Sequence, residues 1–333
     1  MSLGFVTPQL AVNLLLPFFV AAQPGKLTRF EFHRGLMGTQ FDVVFYASDS
    51  LLAHQAYAAV SARMDSLNQV MSDYLDGSEI NRLSAASGSG QWIHVSADLF
   101  HVLQKAQTMA RLSQGRFDPT VGPLSQLWRR AVRRNEFPTK ATLRQARRTV
   151  GYRLMELDSL SRSVRLIKAN MRLDVGGIGQ GFANDEAILV LRKFGIRSAL
   201  LDIGGDILVG DPPPDNSKGW RIGIGVEETG KSDTIVFLKN SAITTSGDTH
   251  RFLNYKGRRY SHIMDPRSGL GLRRFVRATV MAPDGYQADA LTKVFSVAGI
   301  RGSHHLLKKF PGATLLILEN KNGRVYTWQS ATF

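Results

Sequence analysis

The stretch RYSHIMDPRSG, Arg259–Gly269, is where the sequence says most about local structure and chemistry. Residues Tyr260 to Met264 alternate in the manner of a β-strand, and Asp265–Gly269 has Pro and Gly at positions that favour a tight turn. We therefore predict His262 near the end of a strand, just before a rigid corner. An imidazole held in one direction suits a general base. A histidine in such a place is more commonly a structural one, so the interpretation depends on the other turns of the chain.

Two further segments rich in glycine and polar residues add to this pattern. One is ITTSGDTHR at Ile243–Arg251, and the other is DVGGIGQGFANDEAI at residues 174–188. In the second, a short strand meets four glycines and then the predicted helix Phe182–Phe194. Glycines allow close approach of the backbone there, and a helix N-terminus offers unpaired N–H groups to an anion. The spacing is not the GxGxxG of dinucleotide-binding folds and no βαβ alternation surrounds it, so we reject a Rossmann fold.

The composition is that of a globular, strongly basic chain without cysteine. With 333 residues, of which 43% are hydrophobic, it can bury one large core or two fused ones. A net charge of +15 favours anionic partners without choosing among them. The absence of cysteine excludes disulfides, thiolate zinc sites, a cysteine nucleophile and a lipoprotein anchor.

Residues 1–26 have the composition of an export signal. The first 25 residues carry no charge, and Leu10–Ala22 is almost wholly apolar. This run is shorter than the ~20 residues that span a bilayer, and it ends in small residues suited to a cleavage point. We therefore expect an exported protein, either periplasmic or associated with a membrane surface. Because no Lys or Arg precedes the apolar run, a wrongly assigned start and a buried N-terminal element are the alternatives.

The remaining residues, 27–333, are predicted to form one α+β domain. Pairs of strands alternate with long helices, which favours this class over a doubly wound α/β fold. The predicted strands include Leu27–Leu36, Gln40–Ala47, Ser198–Asp202, Thr234–Leu238, Ala278–Ala282 and a final hairpin over Ala313–Trp328. The predicted helices are Ser50–Val70, Glu79–Leu83, Ala97–Ser113, Val121–Trp128, Phe182–Phe194, Ala288–Val297 and Gly302–Lys309.

The segment Arg129–Arg148 is the most basic part of the chain. It holds eight Lys and Arg residues against one acid, Glu136. Phe137 is the single aromatic residue among the cations, so aromatic residues do not interleave with them repeatedly, and no nucleic-acid-binding motif accompanies them. A solvated helical face is the usual explanation, so we predict no nucleic-acid partner.

Eight motifs occur in a defined order along the chain: MGT (37–39), MSDYLDGSEINRL (71–83), GRFDPTVGPL (115–124), DVGGIGQGFANDEA (174–187), IGGDI (203–207), ITTSGDTHR (243–251), SHIMDPRSG (261–269) and ADAL (288–291). Together they resemble the FAD:protein FMN transferase family, also called the ApbE family. The resemblance covers the chain from about Thr28 to Gly299. It implies a T-fold-like α+β fold, with mixed or antiparallel sheets and helices packed around a flavin cleft.

The resemblance also implies an activity and its partners. Family members transfer the FMN half of FAD to a threonine or serine hydroxyl of an acceptor redox protein, and AMP leaves. The reaction is a phosphoryl-type transfer that uses a divalent metal such as Mg²⁺. It requires an aromatic or apolar slot for the flavin, donors around the diphosphate, a cation and a base. The alternatives are an FAD pyrophosphatase, in which water replaces the acceptor, and an FAD-binding protein with weak catalysis.

Site residues follow from the resemblance by position. His262 would activate the acceptor hydroxyl, and Asp289 would act with the metal. The implied metal ligands are Asp289, Thr292 and the main-chain carbonyl of Gly177. The implied FAD-binding residues are Met37, Tyr74, Glu79, Asp174, Gly177, Gln180, Asp185, Thr245, Ser246, Gly247, Arg251 and Lys293. Met37 and Tyr74 would line the flavin ring, with plain core packing as the alternative for both.

Two positions depart from the family pattern. Gln180 stands where the GxxKG loop has its lysine, and Lys293 stands at the threonine of the DALAT metal motif. On a helix, Asp289 and Lys293 would be i,i+4 neighbours in the favourable order. Two interpretations therefore remain open. The Lys293 ammonium replaces the missing lysine or the metal, wholly or in part; or Lys293 points outward and Mg²⁺ binds through Asp289, Thr292 and main-chain oxygens.

Overall fold

The computed structural model describes residues 27–225, 234–247, 252–321, 323–331 and 333. The predictions made for residues 1–26 and for Arg251 lie outside the described residues. The strands are β1 Thr28–Leu36, β2 Thr39–Ala47, β3 Ile93–His94, β4 Met155–Asp158, β5 Ser163–Leu166, β6 Ala199–Ile203, β7 Asp206–Val209, β8 Trp220–Ile224, β9 Thr234–Leu238, β10 Ser241–Ser246, β11 Phe252–Tyr255, β12 Arg258–Ser261, β13 Met264–Asp265, β14 Leu270–Gly271, β15 Phe275–Ala282, β16 Thr314–Lys321 and β17 Arg324–Gln329. The helices are α1 Ser50–Met71, α2 Glu79–Ala85, α3 Ala97–Leu112, α4 Gly122–Arg134, α5 Lys140–Arg147, α6 Gly179–Lys193 and α7 Gly285–Leu307.

Eight strands form the main sheet, in the order β1-β2-β6-β7-β10-β15-β16-β17. Neighbouring strands pair antiparallel throughout. Among the described residues, parallel pairing is limited to an isolated bridge between Val121 and Arg172. The first hairpin turns at Met37 and Gly38, both with positive φ (47° and 77°), the geometry that a two-residue hairpin turn requires. The structure thus confirms the α+β class with antiparallel sheets.

Helices pack on one face of the sheet, and a two-stranded ribbon packs on the other. Alternate residues of β2 show this arrangement because successive side chains of a strand point to opposite faces. Phe41 and Phe45 are fully buried in the main core with α1, α6 and α7. Val44 faces the β8–β9 ribbon, where it clusters with Trp220 and Ile222. Among the described residues, we find no helix with the length and hydrophobicity that spanning a bilayer requires.

Helices α6 and α7 form the central pair, and their close approach depends on glycine. A Cβ atom on Gly181 would lie 2.1 Å from the main-chain oxygen of Gly285. The two predicted helices Ala288–Val297 and Gly302–Lys309 are joined in α7, which is broken at Gly299 (φ 68°, ψ 176°). Just after this break, the Glu319 carboxylate accepts the N–H of Ile300 at 2.8 Å. A side chain from the sheet thus satisfies a backbone donor at the start of the second helical segment.

The basic segment Arg129–Arg148 forms the last turns of helix α4 and the whole of helix α5. The predicted helix Val121–Trp128 continues through Arg134 as α4, which ends at Asn135 in a left-handed conformation (φ 51°). The chain then begins α5 at a Thr139 cap, whose side chain accepts the N–H of Thr142. Helix α4 packs against both α5 and the strand β11.

Candidate functional site

Asp289 and Lys293 lie one turn apart in α7 and form the polar centre of the site. The Asp289 side chain is fully buried, and its Oδ1 accepts a hydrogen bond from the Lys293 ammonium at 2.5 Å. Its Oδ2 accepts from the backbone N–H of Gly181, in the first turn of α6, at 3.2 Å. An unpaired buried carboxylate is costly, so these two contacts compensate the charge of Asp289 between the two helices.

Asp206 of β7 acts on the same ammonium from the sheet. This residue is buried, and its Oδ1 has no hydrogen-bond partner in the described part of the chain. Burial and repulsion from Asp289 raise the pKa of Asp206 to about 7, while Lys293 acts in the opposite direction. Burial lowers the pKa of Lys293, but attraction to Asp289 and Asp206 outweighs it and raises that pKa above its ordinary value. Lys293 therefore remains positively charged at neutral pH.

Two hydroxyl groups connect α7 to the end of β10. The Thr292 hydroxyl donates to the main-chain oxygen of Asp289 at 2.7 Å. Its oxygen also lies 2.8 Å from the Ser246 hydroxyl. Since the single proton of Thr292 is already donated, Ser246 is the donor of this second bond. Gly247 directly follows, so this end of β10 is held against the helix that carries Asp289.

The glycine loop before α6 lies against the Lys293 side chain. A Cβ atom on Gly177 would be 3.4 Å from the Cγ of Lys293 and 3.4 Å from the ring of Phe117. Gln180, in the first turn of α6, is partly buried. The Lys293 stem therefore passes beside the start of α6, where backbone N–H groups and an ammonium together suit an anion.

An exposed tyrosine ring is connected to this loop through an arginine. The Arg129 guanidinium pairs with Asp73 and, at 3.2 Å, with Asp174, and it lies 4.2 Å from the centre of the Tyr74 ring. Asp174 also accepts the N–H of Gly176 at 2.8 Å. Tyr74 remains 72% exposed. The ring is held by a cation–π contact and keeps most of its surface available for stacking.

These contacts connect the residues of the site in one series. In order, it joins Tyr74, Arg129, Asp174, Gly176, Gly177, Lys293, Asp289, Thr292 and Ser246. An aromatic surface stands at one end, and an ammonium with helix N–H groups stands further along. Such a series can hold a planar aromatic ring that is attached to an anionic group.

Comparisons by sequence and by structure connect the chain to a known family. A sequence profile of the ApbE family matches residues 37–317. The chain belongs to the ApbE family. It is 30% identical over 280 residues to the FAD:protein FMN transferase of Treponema pallidum, covering 80% of this chain and 77% of that protein. The corresponding protein of Haemophilus influenzae is 28% identical over 305 residues, covering 89% and 88%. The apo crystal structure of Pseudomonas stutzeri flavinyl transferase ApbE superposes with a TM-score of 0.83 at 25% identity, covering 93% of this chain and 97% of that one.

In this ApbE-family chain, Glu79 and Met37 contact the scaffold. Both carboxylate oxygens of Glu79 accept from Ser96, from its N–H and its hydroxyl, each at 2.6 Å. Ser96 is the N-cap of α3, so Glu79 ties the start of α2 to the start of α3. Met37 lies in the β1–β2 turn, partly buried against the main core. Direct flavin contact by either residue stays a prediction.

Asp185 and Thr245 also make contacts within the fold. The Asp185 carboxylate accepts the N–H groups of Gly285 at 2.6 Å and Tyr286 at 2.9 Å. These are the first two residues of α7, whose own cap residue makes no side-chain cap. Burial raises the pKa of Asp185 to about 7, although the two N–H groups act to lower it. The Thr245 hydroxyl pairs with that of Thr279 at 2.9 Å, across β10 and β15.

His262 is exposed and lies in a bend, so the predicted continuous strand Tyr260–Met264 is wrong. Strand β12 ends at Ser261, whose N–H donates to the carbonyl of Leu272 at 2.8 Å. Leu272 in turn donates its N–H to the carbonyl of Ile263 at 2.8 Å. These bonds to Leu272 replace the continuation of the β11–β12 pairing and fix the backbone on both sides of His262. The imidazole is therefore accessible to a protein-sized partner.

Sequence reasoning missed two residues of the site. Asp206 was part of the IGGDI motif, where an acid directly follows two glycines, yet it was given no role. Arg129 was assigned to the solvated basic face. It lies four residues after Ser125, which is on the buried side of α4, so helical spacing was the available signal.

The residues implied for a divalent metal do not fit one in this arrangement. One oxygen of Asp289 is bound by the Lys293 ammonium and the other by a backbone N–H, and Thr292 donates its proton to the helix. A divalent ion at the same carboxylate oxygen would meet a unit charge about 4 Å away, a repulsion of about 8 kcal/mol in a partly buried site. Among the described residues, no three of His, Asp or Glu lie together as metal ligands. The ammonium is the cation that these residues hold.

Proposed function

We propose that this chain is a flavin transferase that moves FMN from FAD to a threonine or serine hydroxyl of an acceptor protein and releases AMP. The observation that carries the proposal is its similarity to relatives named FAD:protein FMN transferase, over 80% and 89% of the chain. The contact series from Tyr74 to Ser246 supports it, because FAD combines a planar ring with a diphosphate.

In the proposed reaction, the acceptor oxygen attacks the phosphorus that carries the riboflavin. A P–O bond forms to the acceptor. The bond from this phosphorus to the oxygen that bridges the two phosphates breaks, and AMP leaves with that oxygen. The hydroxyl proton passes to His262, which is the base. Negative charge grows on the departing AMP phosphate, where preorganised cations and N–H groups stabilise it.

The binding roles in this proposal are those that the family motifs imply, adjusted to the contacts described above. Tyr74, backed by Arg129, stacks on the flavin ring, and Met37 borders the same ring. The diphosphate lies against Lys293 and the start of α6, next to Gln180. Ser246 and Gly247 contact the nucleotide, Asp174 orients Arg129, and Glu79, Asp185 and Thr245 support the surrounding loops. The motif implies nucleotide binding for Arg251 as well, which lies outside the described residues.

Lys293 takes the place of the magnesium ion that the family resemblance implies. An ammonium neutralises phosphate but cannot polarise it as a divalent ion does, so transfer is expected to proceed without added metal but slowly. The arrangement with Mg²⁺ on Asp289, Thr292 and the Gly177 carbonyl requires Lys293 to leave its 2.5 Å contact with Asp289. That contact favours the ammonium.

The acceptor is proposed to be a redox protein outside the cytoplasm, in the periplasm or at a membrane surface. The composition of residues 1–26 supports export. Comparing the mass of the exported protein with that of the full chain tests whether this segment is cleaved.

Incubation of the purified protein with FAD and an apo-acceptor redox protein tests the function. AMP is measured by chromatography, and covalent flavin by fluorescence of the acceptor band in a denaturing gel. Equal amounts of AMP and labelled acceptor are expected. AMP without labelling would indicate a hydrolase, and binding of FAD without AMP would indicate a flavin-binding protein. An acceptor with its target Thr replaced by Ala is the control.

A further inference from the structure

The helices α4 and α5 present a concentrated positive surface that the proposed chemistry does not use. Its members are the exposed cations Arg130, Arg133, Arg134, Lys140, Arg144, Arg147 and Arg148, extended by Lys256 and Arg258 at the turn of the β11–β12 hairpin. We call this set the basic surface. Within residues 129–148 the sole acid is Glu136.

Ion pairs within the fold do not neutralise most of these charges. Of the basic residues in this segment, Arg129 is the one that pairs with carboxylates, those of Asp73 and Asp174. Across the described residues, none of the other seven cations of residues 129–148 forms an ion pair with a carboxylate. Helix α5 buries none of its residues. Repulsion among like charges on a short helix is unfavourable, so folding alone gives no reason for this concentration.

The basic surface is fastened to the turn that follows His262. The indole N–H of Trp128, in α4, donates to the carbonyl of Gly269 at 2.9 Å. The guanidinium of Arg147, at the end of α5, donates to the carbonyl of Arg267 at 2.8 Å. Both helices therefore hold the turn that fixes the position of the imidazole.

A cluster of aromatic rings joins the same two parts. The ring of Phe137, between α4 and α5, lies 4.7 Å from that of Tyr255 in β11 and 4.9 Å from that of Tyr260 in β12. Trp128 lies 5.8 Å from Tyr260. Centroid separations in this range are those of packed aromatic pairs. The basic surface and the hairpin leading to His262 thus form one packed unit.

We propose that the basic surface docks an acidic region of the acceptor protein and brings the acceptor hydroxyl to His262. This inference rests on the proposed function, because that function requires a protein to approach His262. A cluster of like charges raises the rate of encounter with an oppositely charged partner by about 10- to 1,000-fold at low salt. The basic surface strengthens binding of the acceptor and does not affect binding of FAD.

An acidic protein fits the surface better than a membrane or a nucleic acid. Helices that lie in a membrane insert several large apolar side chains, whereas among the described residues α5 has no exposed large hydrophobic residue and α4 has one, Val132. Single-stranded nucleic acids stack on aromatic rings. The rings nearest the cations, Phe137 and Tyr255, already stack on one another at an angle of 19°.

Charge reversal at helix ends provides a matched test. The double variant Arg133→Glu/Arg144→Glu changes two cations in the last turns of α4 and α5. The control Lys193→Glu/Lys308→Glu changes two exposed cations at the ends of α6 and α7, outside the basic surface. Thermal melts of both pairs establish that each is folded. Labelling kinetics with a purified apo-acceptor, and binding of that acceptor by fluorescence anisotropy, are then measured at about 50 and about 500 mM NaCl.

The basic surface variant should raise the KM for the acceptor by about tenfold at low salt and by less than about twofold at high salt. AMP release from FAD without an acceptor should match that of the control pair. Equal acceptor KM and binding in the two pairs would overturn the proposal. The proposal would also be overturned if the basic surface variant lost binding to anionic phospholipid vesicles or to duplex DNA but bound the acceptor as tightly as the control pair. Absence of FAD cleavage in every variant would instead contradict the proposed function, and acceptor binding would still decide the docking.

Discussion

Replacing Lys293 by methionine removes the ammonium and keeps an unbranched stem beside Gly177. Asp289 is fully buried, and it would retain the Gly181 N–H as its hydrogen-bond donor. Breaking a fully buried ion pair costs about 3–5 kcal/mol, and breaking an exposed one about 0–1 kcal/mol. Because Lys293 is 26% exposed, we expect Lys293→Met to lower the free energy of unfolding by about 2 kcal/mol.

The effect on turnover should be larger than the effect on stability. Removing one preorganised donor from a developing negative charge typically costs about 10²–10³ in kcat. AMP release is measured with FAD in EDTA and again with MgCl₂. The wild-type rate should be the same in both, and Lys293→Met should be slow in both. Lys293→Thr, which provides an oxygen ligand and removes the competing ammonium, should become dependent on Mg²⁺.

Lys308→Met provides the control for these measurements, since it makes the same substitution at the exposed end of the same helix. Its free energy of unfolding and its activation free energy for turnover should each lie within about 0.5 kcal/mol of the wild-type values. If EDTA abolishes wild-type turnover, or if Lys293→Met turns over FAD as fast as Lys308→Met, the ammonium does not serve as the cation.

The other predictions concern packing, flavin stacking, protonation and the base. Gly181→Ala should lower the free energy of unfolding by about 3 kcal/mol, because its Cβ would lie 2.1 Å from a main-chain oxygen of α7. Gly179→Ala, whose Cβ would have its nearest neighbour at 4.0 Å, should change it by less than about 1 kcal/mol, and equal urea melts would contradict the packing argument. Tyr74→Ala should weaken FAD binding by roughly 10- to 100-fold, measured by flavin fluorescence, while Tyr74→Phe should bind normally. The pKa of Asp206 is raised to about 7 in the folded state from an ordinary value of 3.8, so its contribution to stability is most favourable below about pH 4 and is lost as the pH rises to about 7. Asp206→Asn should therefore gain stability relative to wild type by a few kcal/mol between those pH values, and parallel pH profiles would disprove this. His262→Ala should bind FAD normally but label the acceptor about 10²–10⁴ times more slowly, and unchanged labelling would remove His262 from the mechanism.

Local patterns predicted the long regular elements well. The helix predicted at Ser50–Val70 is α1, Ser50–Met71, and the strand predicted at Thr234–Leu238 is β9 without change. Helical periodicity and strand alternation arise from side chains close in sequence, so they can be recognised without knowing the fold. Helix α6 was predicted to begin at Phe182 but begins at Gly179, because packing against α7 stabilises glycines that have low helix propensity.

The sequence supplied candidate site residues by type, and it supplied few of their contacts. The i,i+4 spacing of Asp289 and Lys293 allowed an ion pair as one of two interpretations, and the structure contains that pair. The role of Asp206 was not predictable, because its effect on Lys293 arises from the pairing order of the sheet and from burial, which are long-range properties. Helical spacing could have placed Arg129 on the buried side of α4, but its carboxylate partners Asp73 and Asp174 are 56 and 45 residues away in sequence and could not be identified from it.

The sequence by itself determined the α+β class, the hairpins, most helices and the family, since each depends on residue order over short spans. Tertiary structure alone decided which charge balances which. It placed a lysine that could have pointed into solvent in an ion pair with the buried Asp289, within the electrostatic influence of the buried Asp206. It also set an exposed histidine beside a concentrated positive surface. Charges interact through space and through burial, so their pairing follows from the packing of α6, α7 and the sheet, and no short stretch of the chain contains that information.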